Sequence, residues 1–384
     1  MHRYSKDMDY AKEALKKHKE LKGKISVELK DPLDSRDKLS TYYTPGVAAV
    51  SSYIYEHPEE GRDYTWLNNI VAVISDGSAV LGLGNIGPKA SLPVMEGKAM
   101  LFKHFAGIDS VPIILDVHTA DEIVAAVKAI APSFGGINLE DIAAPLCFEV
   151  EERLKAELDI PVFHDDQHGT AVVVLAGLIN AMKVTGRRLE DCRIVCVGAG
   201  AAGTAIMKLL DLYAKPEILA VDSVGIISSK RTDLNTEKQK LLAFTNKHDV
   251  HGSLEDALKD ADIFIGVSKA ELLTPALVKT MAKKPIIFAM ANPTPEIMPD
   301  EAKAAGVAVM ATGRSDFPNQ VNNALAFPGI FRGALDNKVR TITDDHKIKA
   351  AKAIAGLVEH PTAEEIIPSV LDDRLVSSIS REIR

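Results

Sequence analysis

Three groups of residues in this chain have the types and spacing for chemistry: a glycine turn, two acidic pairs, and a lysine with a tyrosine. Gly198-Ala199-Gly200-Ala201-Ala202-Gly203 follows the apolar run Arg193–Val197 and opens a helical pattern. In that context the first glycine permits a tight turn, the second lets backbone approach a pyrophosphate, and the third allows close helix–strand packing. The helix N-terminus adds free N–H donors and a positive dipole end. Asp222 closes the next apolar run, about 20 residues further on, where an acid binds the ribose diol of a dinucleotide. Its charge opposes a 2′-phosphate and favours NAD, while Lys230 and Arg231 nearby leave NADP open.

Glu140-Asp141 ends the strand-like run 136–139, and Asp165-Asp166 follows Pro161-Val162-Phe163-His164. Ligands of parallel sheets bind beyond the carboxyl ends of strands, so the two pairs can meet in one crevice. Three hard oxygen ligands suit Mg²⁺ or Mn²⁺ with octahedral positions left for water and a chelating substrate. Each pair taken alone reads equally well as loop charge or a helix cap. His164 and His168 flank the second pair without a third nitrogen or sulfur ligand, so zinc is disfavoured and His168 reads as a cap or a support for the ligands.

Lys98 follows Gly97 and precedes Leu101 and Phe102, an apolar setting that lowers a lysine pKa toward neutral pH. Tyr43 sits in Tyr42-Tyr43-Thr44-Pro45-Gly46, a rigid turn before a helix. Asn292, ahead of Pro293-Thr294-Pro295, and Asn323, ahead of Ala324, fall at a strand end and a helix start. Amides there either cap helices or orient a carboxylate or carboxamide.

Elements positioning these residues alternate between strand and helix. Strands are expected at 69–75, 111–117, 136–139 and 161–163, then at 193–197, 218–221, 263–267, 285–290 and 307–311. Helices are expected at 10–22, 120–130, 148–158 and 170–184. The pattern gives an α/β fold in two domains. Residues 1–163 form a smaller α/β domain, and 164–384 a Rossmann-type, doubly wound, mainly parallel sheet. Beyond Arg314 the pattern reads as helical and polar, a tail free to pack on either domain.

The 384 residues carry a net charge of −8, which argues against a nucleic-acid or anionic-membrane partner. Three cysteines, Cys147, Cys192 and Cys196, make no disulfide framework. The charged N-terminus has no apolar leader core, and the run 170–182 is too short and interrupted to span a bilayer. A cytoplasmic protein follows, and the charged first helix with residues 53–64 offers an interface for a homo-oligomer, a dimer favoured.

Taken together the motifs resemble the malic enzyme family in its shorter bacterial form. Tyr43-Thr-Pro-Gly, Gly97-Lys98, Leu139-Glu-Asp, His164-Asp-Asp-Gln-His-Gly-Thr170, the Gly198 turn, Asn292-Pro-Thr-Pro and Asn322-Asn-Ala occur in the family's order, from about residue 35 to 333. The resemblance implies metal-dependent oxidative decarboxylation of L-malate to pyruvate and CO₂ with reduction of NAD or NADP. It assigns Glu140, Asp141 and Asp166 to the metal, Lys98 to the base, Tyr43 to the acid and Asp165 to assisting Lys98. It places Asn292 against substrate and cofactor, and Asn323 against substrate. One departure is that longer eukaryotic relatives have an arginine where this chain reads Ser78-Ala79. The rival outcomes are an oxaloacetate decarboxylase or malolactic-type enzyme on the same scaffold, and a metal-independent amino-acid dehydrogenase.

Overall fold

A computed structural model describes residues 9–384 with the exception of Leu81. Two parallel sheets organise it. The first contains β1 (Ile70–Ser75), β2 (Asp109–Ile114), β3 (Gly136–Leu139) and β4 (Val162–His164), in the order β2-β1-β3-β4. The second contains β5 (Arg193–Val197), β6 (Glu217–Val221), β7 (Ile263–Gly266), β8 (Ile286–Ala289) and β9 (Val309–Thr312), in the order β6-β5-β7-β8-β9.

Alternation along β1 sends its side chains to two different cores. Ile70, Ala72 and Ile74 pack with Ile123, Val127, Val150 and Leu154, whereas Val71 and Val73 join a core that runs on to Ile194, Phe288 and Phe327. That second core is continuous between the sheets. Its axis is the helix Asp165–Thr185, with fourteen buried residues between Asp165 and Met182. This helix begins five residues earlier than the apolar run signals, and by length and composition alone it could cross a membrane. Burial in the core accounts for that apolarity, because helices Ala201–Ala214 and Asp344–Gly356 pack along it. Asn180, fully buried on it, donates from Nδ2 to the carbonyls of Ala355 (2.9 Å) and Ile366 (3.0 Å). Asn180→Ala strands both acceptors and is expected to cost about 1–3 kcal/mol of stability, measured by chemical denaturation.

The C-terminal segment departs from its polar reading. In the helix Phe327–Asp336 every residue except Arg332 and Asp336 is buried. Phe327 and Phe331 stack edge-on against Phe102 at 4.7 and 5.3 Å, and Phe331 meets Phe163 at 5.9 Å. The tail therefore packs against both halves. Phe102 belongs to the helix Pro88–Ala106, which sequence periodicity did not mark, since Pro93 and Gly97 interrupt it. Strand β2 also starts earlier than expected, at Asp109, because register with Ile70 pairs it there.

Among the described residues the opposite extreme is the N-terminal segment. Helices Tyr10–Leu21, Arg36–Tyr42 and Val47–Glu56 contain no buried residue.

Candidate active site

Register brings the acidic pairs together. Leu139 of β3 lies beside His164 of β4, so the next residues, Glu140 and Asp165, leave the sheet side by side. Asp141 turns the chain at a positive φ of 54°. Asp165 and Asp166 do not extend a strand; they open the long helix, where its dipole favours negative charge. Glu140, Asp141 and Asp166 each offer an oxygen within 4.8 Å of the others. The Asp166 carboxylate also accepts the Asp141 N–H at 2.7 Å.

Lys98 projects from the middle of helix Pro88–Ala106 into this cluster and is only 8% exposed. Its Nζ lies 2.6 Å from Asp165 Oδ2 and 2.7 Å from Glu140 Oε1, and 4.3 Å from the centre of the Phe327 ring. The expectation of a neutral lysine in an apolar pocket is corrected here. Burial pulls its pKa down, but Asp165, Glu140 and Asp166 outweigh burial and raise it, so the side chain is an ammonium. Apolar neighbours are visible in the local sequence; carboxylates contributed by distant strands are not.

The carboxylates show the complementary strain. Burial pushes Asp165 and Asp166 up to about 6 despite Lys98, and raises Glu140 as well. Three acids, Glu140, Asp165 and Asp166, around one ammonium leave an excess of negative charge in a low-dielectric pocket. Asp165 Oδ1 is buried without a hydrogen-bond partner among the described residues. An all-oxygen donor set with surplus negative charge fits a hard divalent cation, Mg²⁺ or Mn²⁺.

Three supporting residues escaped the sequence reading. Asn138 Nδ2 donates to Glu140 Oε2 at 2.9 Å; its place two residues before Glu140, on the same face of a strand, was an available signal. Glu151 accepts the backbone N–H of His164 at 3.0 Å and contacts His168 Nε2 at 2.8 Å. His168 is thus a support, as expected, and burial lowers its pKa to about 3. Ser78 accepts the N–H of Ala143 at 2.9 Å, bracing the turn that carries Asp141.

The glycine turn follows β5. Gly198 has a φ of 117°, and a Cβ on Gly203 would lie 1.7 Å from Gly198 O, so the third glycine is required by packing. A Cβ on Gly200 would meet nothing within 4 Å, which leaves its backbone open to a ligand. A cleft of about 680 Å³ runs from Gly198, Ala199 and Gly200 to Asp222, and its opposite wall is Ala144 and Pro145, just past Asp141. Ala201 and Ala202 occupy the first turn of the helix Ala201–Ala214.

Asp222 stands at the far end of the cleft, but not as a free acid. Arg231 Nη1 contacts it at 2.7 Å and Lys238 Nζ at 2.6 Å, and these partners hold its pKa well below the usual range despite partial burial. Lys230 is exposed and pairs with no acid among the described residues, whereas Lys238 was missed. Asp222→Asn is expected to release both cations toward a 2′-phosphate. The NADP:NAD ratio of kcat/KM should then rise by about tenfold, the scale of one charge-assisted hydrogen bond. An unchanged ratio would remove Asp222 from cofactor selection.

The two asparagines are placed differently. Asn323 sits beside the cluster, since a Cβ on Gly169 would lie 3.0 Å from the Asn323 Cβ and 1.9 Å from Asp165 Oδ1. Asn292, exposed after β8, packs its carbonyl against Gly82, and buried Glu296 braces the loop through the Ala291 N–H at 3.1 Å. Tyr43 is 67% exposed. It is absent from the groups touching Lys98 and makes no side-chain hydrogen bond among the described residues. Within one chain Tyr43 and Lys98 do not touch.

A mainly parallel dinucleotide-type sheet, facing a second α/β unit across a cleft, defines a two-domain α/β dehydrogenase. Residues 167–383 match the family model described as malic enzyme, NAD binding domain, and 22–122 and 118–155 match malic enzyme, N-terminal domain. The chain belongs to the malic enzyme family. It is 53% identical to the bifunctional malic/malolactic enzyme of Bacillus subtilis, covering 98% of this chain and 92% of that one. It is 55% identical to the NAD-dependent malic enzyme of Geobacillus stearothermophilus over 94% of this chain and 76% of that one. The crystal structure of NAD-dependent malic enzyme from Thermotoga maritima superposes with a TM-score of 0.93 at 50% identity, covering 96% and 98% of the two chains.

Proposed function

We propose that this protein oxidatively decarboxylates L-malate to pyruvate and CO₂, reducing a nicotinamide dinucleotide, as a cytoplasmic homodimer. The observation that carries the reading is Lys98 held between Asp165 and Glu140 beside the Glu140, Asp141 and Asp166 oxygens. A divalent cation held by those three residues would acidify the C2 hydroxyl and polarise the 2-oxo group, and a nicotinamide held from the Gly198 turn would accept the hydride.

The protein's own residues do the rest. Lys98, once it has given up its own proton, takes the hydroxyl proton of malate. Glu140, once committed to a cation, supports the ammonium less, so Lys98 gives up its proton more readily than in the cluster described above. Asp165 keeps Lys98 in place. Asn323, beside Asp165, orients the substrate, and Asn292 contacts substrate and cofactor at the opposite rim. After CO₂ departs, Tyr43 protonates C3 to give pyruvate.

For Tyr43 to reach the site, we infer that a second copy supplies it. The N-terminal segment exposes Leu15 (76%), Val27 (87%), Leu29 (72%) and Tyr55 (89%) together with Tyr43, far more apolar surface than a single charged helix needs. Pairing of two copies through this segment buries that surface and carries each Tyr43 toward its partner's Lys98. Mixing Tyr43→Phe with Lys98→Ala subunits should therefore restore activity to about a quarter to a half of the wild type, because half of the sites in a mixed dimer are intact. A mixture as inactive as its two components would place Tyr43 in the same chain as its lysine.

The activity itself is tested by absorbance of the reduced nicotinamide with malate, NAD or NADP, and Mn²⁺, with and without EDTA. Pyruvate formed with one equivalent of reduced cofactor supports the proposal. Lactate without net reduction would favour the malolactic outcome, and turnover that survives EDTA would favour a metal-independent dehydrogenase.

A further inference from the structure

A second cleft, of about 560 Å³, lies behind the acidic cluster. It is enclosed by the helices Leu146–Glu157, Asp165–Thr185, Ala201–Ala214 and Asp344–Gly356. No step of the proposed reaction uses it.

Three hydrogen-bond donors converge there with unused capacity. Lys347 is 4% exposed, and Asp344, at 2.8 Å, is its one acceptor among the described residues. Lys155 pairs, among the described residues, with Glu151 at 2.6 Å. Gln167, also 4% exposed, has a buried Nε2 with no hydrogen-bond partner among the described residues. Burying an unpaired amide and the Lys347 ammonium with spare hydrogens costs free energy unless a ligand supplies acceptors, whereas the Lys155 side chain, 24% exposed, reaches the same cleft while still partly in water. The two lysines also oppose each other: burial and then the charge of Lys155 lower the Lys347 pKa, a repulsion that negative charge between them would relieve. Lys208, 3.5 Å from Asp344, and Lys240 also line the cleft, whose acids Glu151, Glu152, Glu237 and Asp344 stand among the lysines. Phe148, Leu212 and Phe244 supply an apolar remainder.

We propose that this cleft is a regulatory site for a small organic anion whose phosphate or carboxylate head is bound by Lys347, Lys155 and Gln167. Its link to the acidic cluster is short. Glu151, the partner of Lys155, also holds the backbone N–H of His164 and the ring of His168, on either side of Asp165 and Asp166. An anion that draws Lys155 away from Glu151 alters the hold on the first turn that carries Asp165 and Asp166.

The test uses the full-length protein saturated with dinucleotide and Mg²⁺, so that the pyrophosphate site is filled. Inorganic phosphate, acetyl phosphate and succinate are titrated at constant ionic strength while the melting temperature is followed, a readout independent of turnover. At least one probe should give a saturable rise, and whether phosphates or succinate give it identifies the head group. In Lys347→Gln its apparent affinity should fall by about tenfold or more, the loss of a charge-assisted hydrogen bond. Lys208→Glu, on a side chain that is 58% exposed, should weaken it in the same direction. Failure of all three probes to shift the wild type, or equal shifts in wild type and both variants, would overturn the proposal. A failed malate assay with the binding shift intact would instead count against the reaction alone.

Discussion

Lys98→Ala is expected to lower turnover with malate by about 10²–10⁴-fold, the range for loss of a positioned proton-transfer group, while leaving dinucleotide affinity unchanged. The separation follows from position. Lys98 contacts Asp165, Glu140 and Phe327, whereas the cofactor cleft is lined by Gly198, Gly200, Asp222 and their neighbours. Lys98→Arg should not rescue, since a guanidinium keeps its proton and its planar fork does not match two carboxylates on different elements. Stopped-flow absorbance and fluorescence titration of the reduced dinucleotide provide the two readouts. Undiminished turnover would remove Lys98 from the chemistry.

The second large effect is on metal affinity. Asp166→Asn removes one of three acidic ligands and keeps the side-chain shape, so the hydrogen bond from the Asp141 N–H can persist at the amide oxygen. Mn²⁺ affinity measured by calorimetry should fall by at least about 100-fold, beyond the roughly 10–100-fold cost of losing a residue that merely orients a ligand. Malate oxidation at limiting Mn²⁺ should fall in parallel and recover partly at high Mn²⁺. Equal affinities in variant and wild type would refute the assignment.

The sequence was most legible where function is local along the chain. The glycine turn, the strand before it and the acid after it lie within one βαβ unit, and β3 and β5 match their expected bounds residue for residue. The acidic pairs were readable for a related reason: both follow short apolar strands of a parallel sheet, whose carboxyl ends share one edge.

What failed to show was long-range. Lys98 and Asp165 are 67 residues apart, so nothing near Lys98 announces that it is ion-paired rather than neutral. Asn180 and its acceptors are separated by 175 and 186 residues, and Phe102 meets Phe327 only after the tail folds back. The three helices of the N-terminal segment that holds Tyr43 contain no buried residue, so burial gives no sign of what Tyr43 does. Arg231 and Lys238 carry a similar lesson at smaller scale. Proximity in sequence favoured Lys230 and Arg231, but the loop brings Arg231 and Lys238 to Asp222.

Crystals grown with Mn²⁺, and measured at a wavelength where manganese scatters anomalously, address the central claim directly. A single strong peak within about 2.0–2.4 Å of one oxygen from each of Glu140, Asp141 and Asp166 is the predicted result, at distances set by hard-cation coordination. Manganese bound elsewhere with those three carboxylates left unligated would contradict the account.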